Sequence, residues 1–242
     1  EGKSSETIHA QTQDLVNSDS FLIGFARRFA DYKRVTLLLE DEEQLFQFLE
    51  RAFKRYGKPV HLLYAGKPHP DNAAGIRRIR EIVLASDRLR KRTKERSFRS
   101  QIVFIPNYDI DLARSMVAGV DVWLNNPVRP HEASGTSGMK AAMNGVLNVS
   151  IPDGWVPEGI VNGKNGWLFG KGDLQSADED RKELFQLLEQ SILSLYFERP
   201  SSAESSGSPG GGSGKLRIDF SPRWVHMMKE AIQSMTKQFS IE

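Results

Sequence analysis

The chain of 242 residues contains no cysteine, which excludes a disulfide framework and any thiolate metal site. It has no apolar run approaching the roughly 20 residues that a membrane-spanning helix needs. Neither sign of charge dominates: 33 Lys and Arg stand against 31 Asp and Glu, a formal net charge of +2, so bulk attraction to nucleic acid or to a membrane surface is not a theme of the chain. No initiator Met, basic-then-apolar leader or cleavage-like segment is found at Glu1, and the expectation is a cytoplasmic piece cut from something longer. Simple nucleotide fingerprints are missing as well. No G-x-G-x-x-G follows the first strand, and the stretch from Gly135 to Lys140 has the wrong spacing for a P-loop, with Ala141 where Ser or Thr is required.

What is present suits a single folded domain. A hydrophobic fraction of 39% is ordinary for a chain with a buried core. Apolar runs at Phe21 to Phe25, Val60 to Tyr64, Ile102 to Ile105, Val120 to Leu124, Val146 to Val149 and Gly166 to Gly170 read as strands. Between them fall helical patterns: around Lys33 to Leu39, Asp41 to Arg55, a basic stretch from Arg77 to Arg99, Ile110 to Met116 and Ser137 to Met143. Strands alternating with helices predict an α/β fold, a Rossmann-like parallel sheet covered on both faces. In the basic stretch Ile76, Ile79, Val83 and Leu84 recur at helical spacing, predicting an amphipathic helix with its arginines outward. Phe98 is the one aromatic residue from Arg77 to Arg99 and no reading motif is present, so nucleic acid is not an expected partner. Residues 1–20 read as a flexible lead-in to a domain over residues 21–242, and the Ser/Gly-rich tract at 201–214 as a flexible loop within it. Two further amphipathic helices, Asp180 to Tyr196 and Pro222 to Lys237, carry core-facing apolar stripes, the second through Trp224, Val225, Met228 and Ile232.

The stretch Glu132-Ala133-Ser134-Gly135-Thr136-Ser137-Gly138-Met139-Lys140 carries the most chemistry. It lies where a strand hands over to a helix, and its small residues let an anion or a sugar approach free backbone amides at a helix N-terminus. Lys140 follows in the first turns of that helix, and a lysine in a partly dry pocket can tether pyridoxal phosphate. The alternatives are a packing turn and a solvated lysine. Arg28, Tyr108 and Glu132 all follow strands, so a parallel sheet would gather them at its carboxyl edge.

Together with Ile23-Gly24-Phe25-Ala26-Arg27-Arg28-Phe29-Ala30-Asp31-Tyr32-Lys33-Arg34, Asn107-Tyr108, Trp123-Leu124-Asn125-Asn126-Pro127 and Asp153-Gly154-Trp155, this stretch resembles the α-glucan (glycogen, starch or maltodextrin) phosphorylases of the short bacterial and archaeal branch. The resemblance covers most of residues 21–170. It implies the C-terminal domain of a GT-B architecture, with the N-terminal domain that supplies the other wall of the cleft absent from this chain. By the same resemblance Lys140 would tether pyridoxal 5'-phosphate, Arg27 would contact the cofactor phosphate, Thr136 and Gly135 would cradle it, and Tyr108 would lie against it. Arg28 and Lys33 would hold inorganic phosphate, a forked guanidinium and an ammonium converging on one dianion. Glu132, Ser134 and Gly135 would hold hydroxyls of the transferred glucose.

The implied reaction moves a terminal α-1,4-linked glucosyl unit to phosphate, giving glucose 1-phosphate with retention. The domain alone is expected to be inactive, and homo-oligomerisation is left open. Two features depart from the animal and plant enzymes: Asp109 replaces an arginine near the cofactor phosphate, and the pair Ser137-Gly138 replaces Gly-Asn. His131 has no partner in the pattern and is assigned no chemistry. The alternatives are a glycogen-synthase-type nucleotide-sugar glycosyltransferase domain and a non-catalytic fold-alike that binds glucan or a partner.

Overall fold

The computed structural model describes residues 19–68, 71–170, 176–198 and 221–239. The expected lead-in lies outside these residues except for Asp19 and Ser20, and the expected loop at 201–214 lies outside them entirely.

Six strands form one sheet: β1 (Phe21–Ala26), β2 (Val60–Ala65), β3 (Ile102–Ile105), β4 (Val122–Asn125), β5 (Leu147–Ser150) and β6 (Gly166–Leu168). Every pairing is parallel and the order is β3-β2-β1-β4-β5-β6. Each strand is a short run of apolar residues, because a parallel sheet with helices on both faces buries every side chain along its length. β1 shows this, with five of its six residues buried.

The helices are α1 (Glu42–Tyr56), α2 (Ala73–Glu95), α3 (Ile110–Gly119), α4 (Thr136–Met143), the short α5 (Val156–Gly159), α6 (Ala177–Leu187), α7 (Leu193–Tyr196) and α8 (Pro222–Phe239). Local chemistry marks their ends. The Asp41 carboxylate accepts the Gln44 N–H at 2.9 Å to start α1, which ends on Gly57 with φ +66°, the left-handed conformation that glycine adopts most cheaply. Between these ends α1 buries Leu45, Phe46, Phe48, Leu49 and Ala52 against the sheet. Truncating one such aromatic to Ala costs about 3–5 kcal/mol. A capping box between Ser176 and Glu179 starts α6, which runs through a π-turn at Leu188–Ile192 into α7.

Three expectations need correction. No α-helix forms around Lys33 to Leu39; the segment makes two 3₁₀ turns, Asp31–Lys33 and Leu37–Leu39, separated by Arg34 at φ +45°. Val35 to Leu39 are all buried, so there is no solvent face for a helix to present. The Arg34 guanidinium donates to the Asn126 and Pro127 carbonyls at 2.8 and 3.1 Å and to Asp180 at 2.6 Å. These bonds hold the unusual backbone in place.

The second correction concerns α2, whose buried stripe is Gly75, Ile82, Ala85, Leu89 and Thr93, leaving Ile76, Val83 and Leu84 exposed. Gly75 sets this face: a Cβ there would stand 2.4 Å from Pro68 and 3.0 Å from the Phe29 carbonyl, so close backbone approach outweighs side-chain hydrophobicity. The arginines do face outward, and at the surface Arg88 and Arg92 pair with Glu42 and Glu43 of α1. Lastly, α8 packs through Trp224, Met227, Ala231 and Met235, while Ile232 stays exposed.

Among the described residues no helix is long and apolar enough to cross a membrane.

Candidate functional site

In a doubly wound sheet the neighbours β1 and β4 send their following loops in opposite directions, and the crevice between those loops is where such folds bind ligands. Here the loop after β1 carries Arg27 to Lys33 and the loop after β4 carries Asn126 to Gly135. The two meet at a carboxylate. Glu132, buried, accepts a hydrogen bond at Oε2 from the Arg27 guanidinium at 3.1 Å and a shorter one, at the same oxygen, from the Lys33 ammonium. Among the described residues nothing bonds to Oε1. Lys33 also lies 4.7 Å from the centre of the Tyr32 ring, a favourable position for a cation.

Arg27 is only 7% exposed, and among the described residues its Nε and Nη2 have no hydrogen-bond partner. Burial pulls its pKa down, and the neighbouring Glu132 charge opposes that shift. With two nitrogens unmatched, the five N–H donors of this fixed fork keep donor capacity that an anion in the plane of the group could use. Tyr108 lies close enough to Arg27 for their charges to interact; burial raises the phenol pKa, and Arg27 acts against the rise. Tyr108 packs against the buried cluster that includes Ala26, Met116, Trp123 and Ala141.

The loop bearing Glu132 is held from below. Asp153, after β5, accepts the Glu132 N–H at 2.9 Å and the Gly154 N–H at 2.9 Å, and the Trp155 N–H donates to the Ser134 carbonyl at 3.0 Å. Gly154 is at φ +61°, where a Cβ would stand 2.3 Å from the Ser134 oxygen. Gly135, at φ +86°, is the N-cap of α4 and supplies no side-chain bond. Glu132 is therefore not a helix cap; its bonds go to Arg27, Lys33 and Asp153. The first turn of α4 is fixed by Asn148, whose side-chain amide donates to the Gly138 carbonyl at 2.9 Å, and by Ser137, whose hydroxyl accepts the Trp123 indole N–H at 3.3 Å. Gly138 is required by this packing, since a Cβ would lie 2.6 Å from the Asn148 oxygen.

The remaining expected residues are less buried than this centre. Arg28, Thr136 and Lys140 are exposed, and Ser134 and Gly135 are half-buried. The charge cluster after β1 divides by burial: Arg27 and Lys33 turn inward, Arg34 braces the loop, and Arg28 faces out. Asp109 caps α3 by accepting the Leu112 N–H at 2.9 Å, a structural use for the residue that departs from the animal and plant pattern. His131 is exposed, its ring 6.4 Å from that of Tyr32. Among the described residues no group of three or more His, Asp or Glu could hold a metal ion.

Sequence reasoning assigned no role to Asn148 or Arg34, and knew Asp153 only as part of a resembling segment. A polar residue inside an apolar strand, and an Asp-Gly pair directly after one, are the signals that pointed to two of them.

A family model described as carbohydrate phosphorylase matches residues 3–187. The chain is 41% identical over 230 residues to the maltodextrin phosphorylase of Thermococcus litoralis, covering 93% of this chain and 24% of that protein. It is 42% identical over 229 residues to a glycogen phosphorylase of Aquifex aeolicus, covering 93% of this chain and 29% of that one. The chain thus spans about a quarter of the length of these relatives. Among solved structures, the C-terminal domain of a group 1 family glycosyl transferase (LpcC) from Francisella tularensis superposes with a TM-score of 0.54 at 16% identity, covering 96% of this chain and 93% of that one. HepE of Anabaena, solved with UDP, superposes at 0.56 and 15% identity, over 98% of this chain and 50% of that one. These likenesses place the fold with the GT-B glycosyltransferases.

Proposed function

The chain belongs to the carbohydrate phosphorylase family, and from that premise we propose that it is the cofactor- and phosphate-binding domain of an α-glucan phosphorylase. The reaction would move a terminal α-1,4-linked glucosyl unit to inorganic phosphate, giving glucose 1-phosphate with retained configuration. The observation that supports this best is the buried Arg27, two of whose nitrogens lack a partner among the described residues, at the crevice between β1 and β4. That is what a site for a phosphate group requires.

The residues present fit pyridoxal 5'-phosphate. Arg27 would donate Nε and Nη2 to its phosphate, Thr136 and Gly135 at the start of α4 would cradle the same group, Tyr108 would lie against it, and Lys140 would attach it. When bound, the cofactor supplies a phosphate group able to exchange a proton with the substrate phosphate. The rest of the chemistry belongs to the chain. Lys33 and Arg28 would hold inorganic phosphate, one from inside the crevice and one from its rim. Lys33 is shared with Glu132 in the structure, so an arriving dianion adds a second anionic partner to an ammonium that has three donors. Glu132 keeps Oε1 for a glucose hydroxyl while Oε2 stays engaged, and Ser134 and Gly135 offer further polar contacts to the same sugar.

A spectrum of the purified chain with pyridoxal phosphate, followed by borohydride reduction and mapping of the modified lysine, tests the reading. Attachment at Lys140 that is lost in Lys140→Ala supports it. Scattered modification of surface lysines would count against it, and binding of a nucleotide sugar in place of the cofactor would favour the glycogen-synthase-type alternative. Because the chain spans only about a quarter of its relatives, it would form one wall of the cleft and show no turnover by itself, since catalysis depends on holding both reactants in register.

A further inference from the structure

The two oxygens of Asp153 are spent on backbone N–H groups, those of Glu132 and Gly154, both at 2.9 Å. The carboxylate is buried, at 7% exposure, and an acid so enclosed is costly unless its oxygens are matched by donors. It comes from the loop after β5, 21 residues beyond the Glu132 it bonds. The same loop bonds the Ser134 carbonyl through Trp155, and Gly154 lies so close to that carbonyl that no side chain fits between. Three consecutive residues of one loop thus grip two of the four residues from Glu132 to Gly135, Glu132 and Ser134.

This grip has a directional effect. Glu132 must place one carboxylate oxygen on Arg27 and Lys33 while the other faces the crevice. A side chain with three rotatable bonds does so reliably only when its own backbone is pinned. The Arg27 and Lys33 bonds fix the end of the side chain, and Asp153 fixes its root.

We propose that Asp153 is a positioning residue for glucosyl transfer, acting through Glu132 without touching the substrate. This rests on the reading of Glu132 as a residue that holds a glucose hydroxyl. Loss of the Asp153 carboxylate frees the Glu132 backbone and weakens the grip on the sugar, while Arg27, Lys140 and the cofactor pocket stay formed.

The test is kinetic and is run on the full-length gene product, with glucose 1-phosphate as the varied substrate and pyridoxal phosphate content read from absorbance. Asp153→Ala is expected to raise KM for glucose 1-phosphate about tenfold with cofactor content unchanged. Asp153→Asn, which keeps the shape and one acceptor oxygen, is expected to raise it about threefold and carries the test if the alanine variant does not fold. Glu132→Gln is measured beside them, and the double variant Asp153→Ala/Glu132→Gln should be no worse than Glu132→Gln alone, because both remove the same contact. Multiplying losses would overturn the positioning role, as would an unchanged KM in both Asp153 variants when Glu132→Gln raises it; in either case Glu132 keeps its own role. An unchanged KM in Glu132→Gln would overturn the role of Glu132 and, with it, that of Asp153.

Discussion

Arg27 and Glu132 stand 105 residues apart in the chain and are joined by a 3.1 Å ion pair in which both side chains are almost wholly buried. Lys33 completes the cluster on the same carboxylate oxygen. Breaking a buried pair from one side is costly because it strands the partner charge. Glu132→Gln is therefore expected to lower stability by about 3 kcal/mol in urea denaturation. Adding Lys33→Met should recover part of that loss, since one stranded cation is removed, whereas two independent contributions would simply add.

Lys140 should separate stability from ligand attachment. It is exposed on α4, and Ala has the higher helix propensity, so Lys140→Ala is expected to change stability by less than about 0.5 kcal/mol. The same substitution should abolish covalent capture of pyridoxal phosphate, read by absorbance after borohydride reduction. A variant that still captures the cofactor at the same stoichiometry would remove Lys140 from the site.

Gly154→Ala tests the grip between the loops after β4 and β5. With φ at +61° and a Cβ 2.3 Å from the Ser134 carbonyl, the substitution strains the backbone and forces the Ser134 segment away. A loss of about 2 kcal/mol or more is expected. Gly163→Ala is the control: it also has positive φ, at +75°, but meets nothing within 4 Å, so its loss should be smaller.

The pH dependence of folding should carry the mark of Asp121. Burial pushes its carboxyl up to about 6, against hydrogen bonds from the Leu22 N–H and the Tyr196 hydroxyl. Because the native state binds this proton more tightly than the unfolded chain, the contribution is fully present below the ordinary aspartate range and is lost as pH rises through about 6. Asp121→Asn, which keeps a carbonyl acceptor for Leu22, should flatten that segment of the profile and gain about 2 kcal/mol at pH 8. Denaturation midpoints from pH 4.5 to 8 would read it; a variant as pH-sensitive as the parent in that window would show that another group is responsible.

Much of the fold was legible because buried parallel strands are short apolar runs, and all six strands were foreseen with small differences at their ends. The segment from Lys33 to Leu39 was not, because its conformation is set by Arg34 reaching Asn126, Pro127 and Asp180, residues far away in sequence. The face of α2 was misjudged for a related reason: Gly75 decides it by close approach, and hydrophobic periodicity gives a glycine no weight. At the site, strand ends foretold a gathering of Arg28, Tyr108 and Glu132, but it is Arg27 that meets Glu132, while Arg28 is exposed. That Arg27 and Lys33 would both turn inward onto Glu132 was not foretold, since burial of a charge depends on a partner that spacing cannot identify. The contribution of Asp153 was hidden because it acts on backbone N–H groups, which every residue but proline possesses.

The strand order has a consequence for how the molecule could be taken apart. β1, β2 and β3 are consecutive in sequence and adjacent in the sheet, as are β4, β5 and β6. The two triplets share one seam, where β1 and β4 register through two residue pairs, Ile23 with Val122 and Gly24 with Trp123, against six between β1 and β2. Arg27 and Lys33 lie on one side of that seam, and Glu132 and Lys140 on the other. A polypeptide divided after β3 would yield two complementary pieces, each with its own three-stranded ribbon and neither with the full set of residues proposed to bind phosphate. Recovery of phosphate binding on mixing would then be a direct gauge of their reassembly.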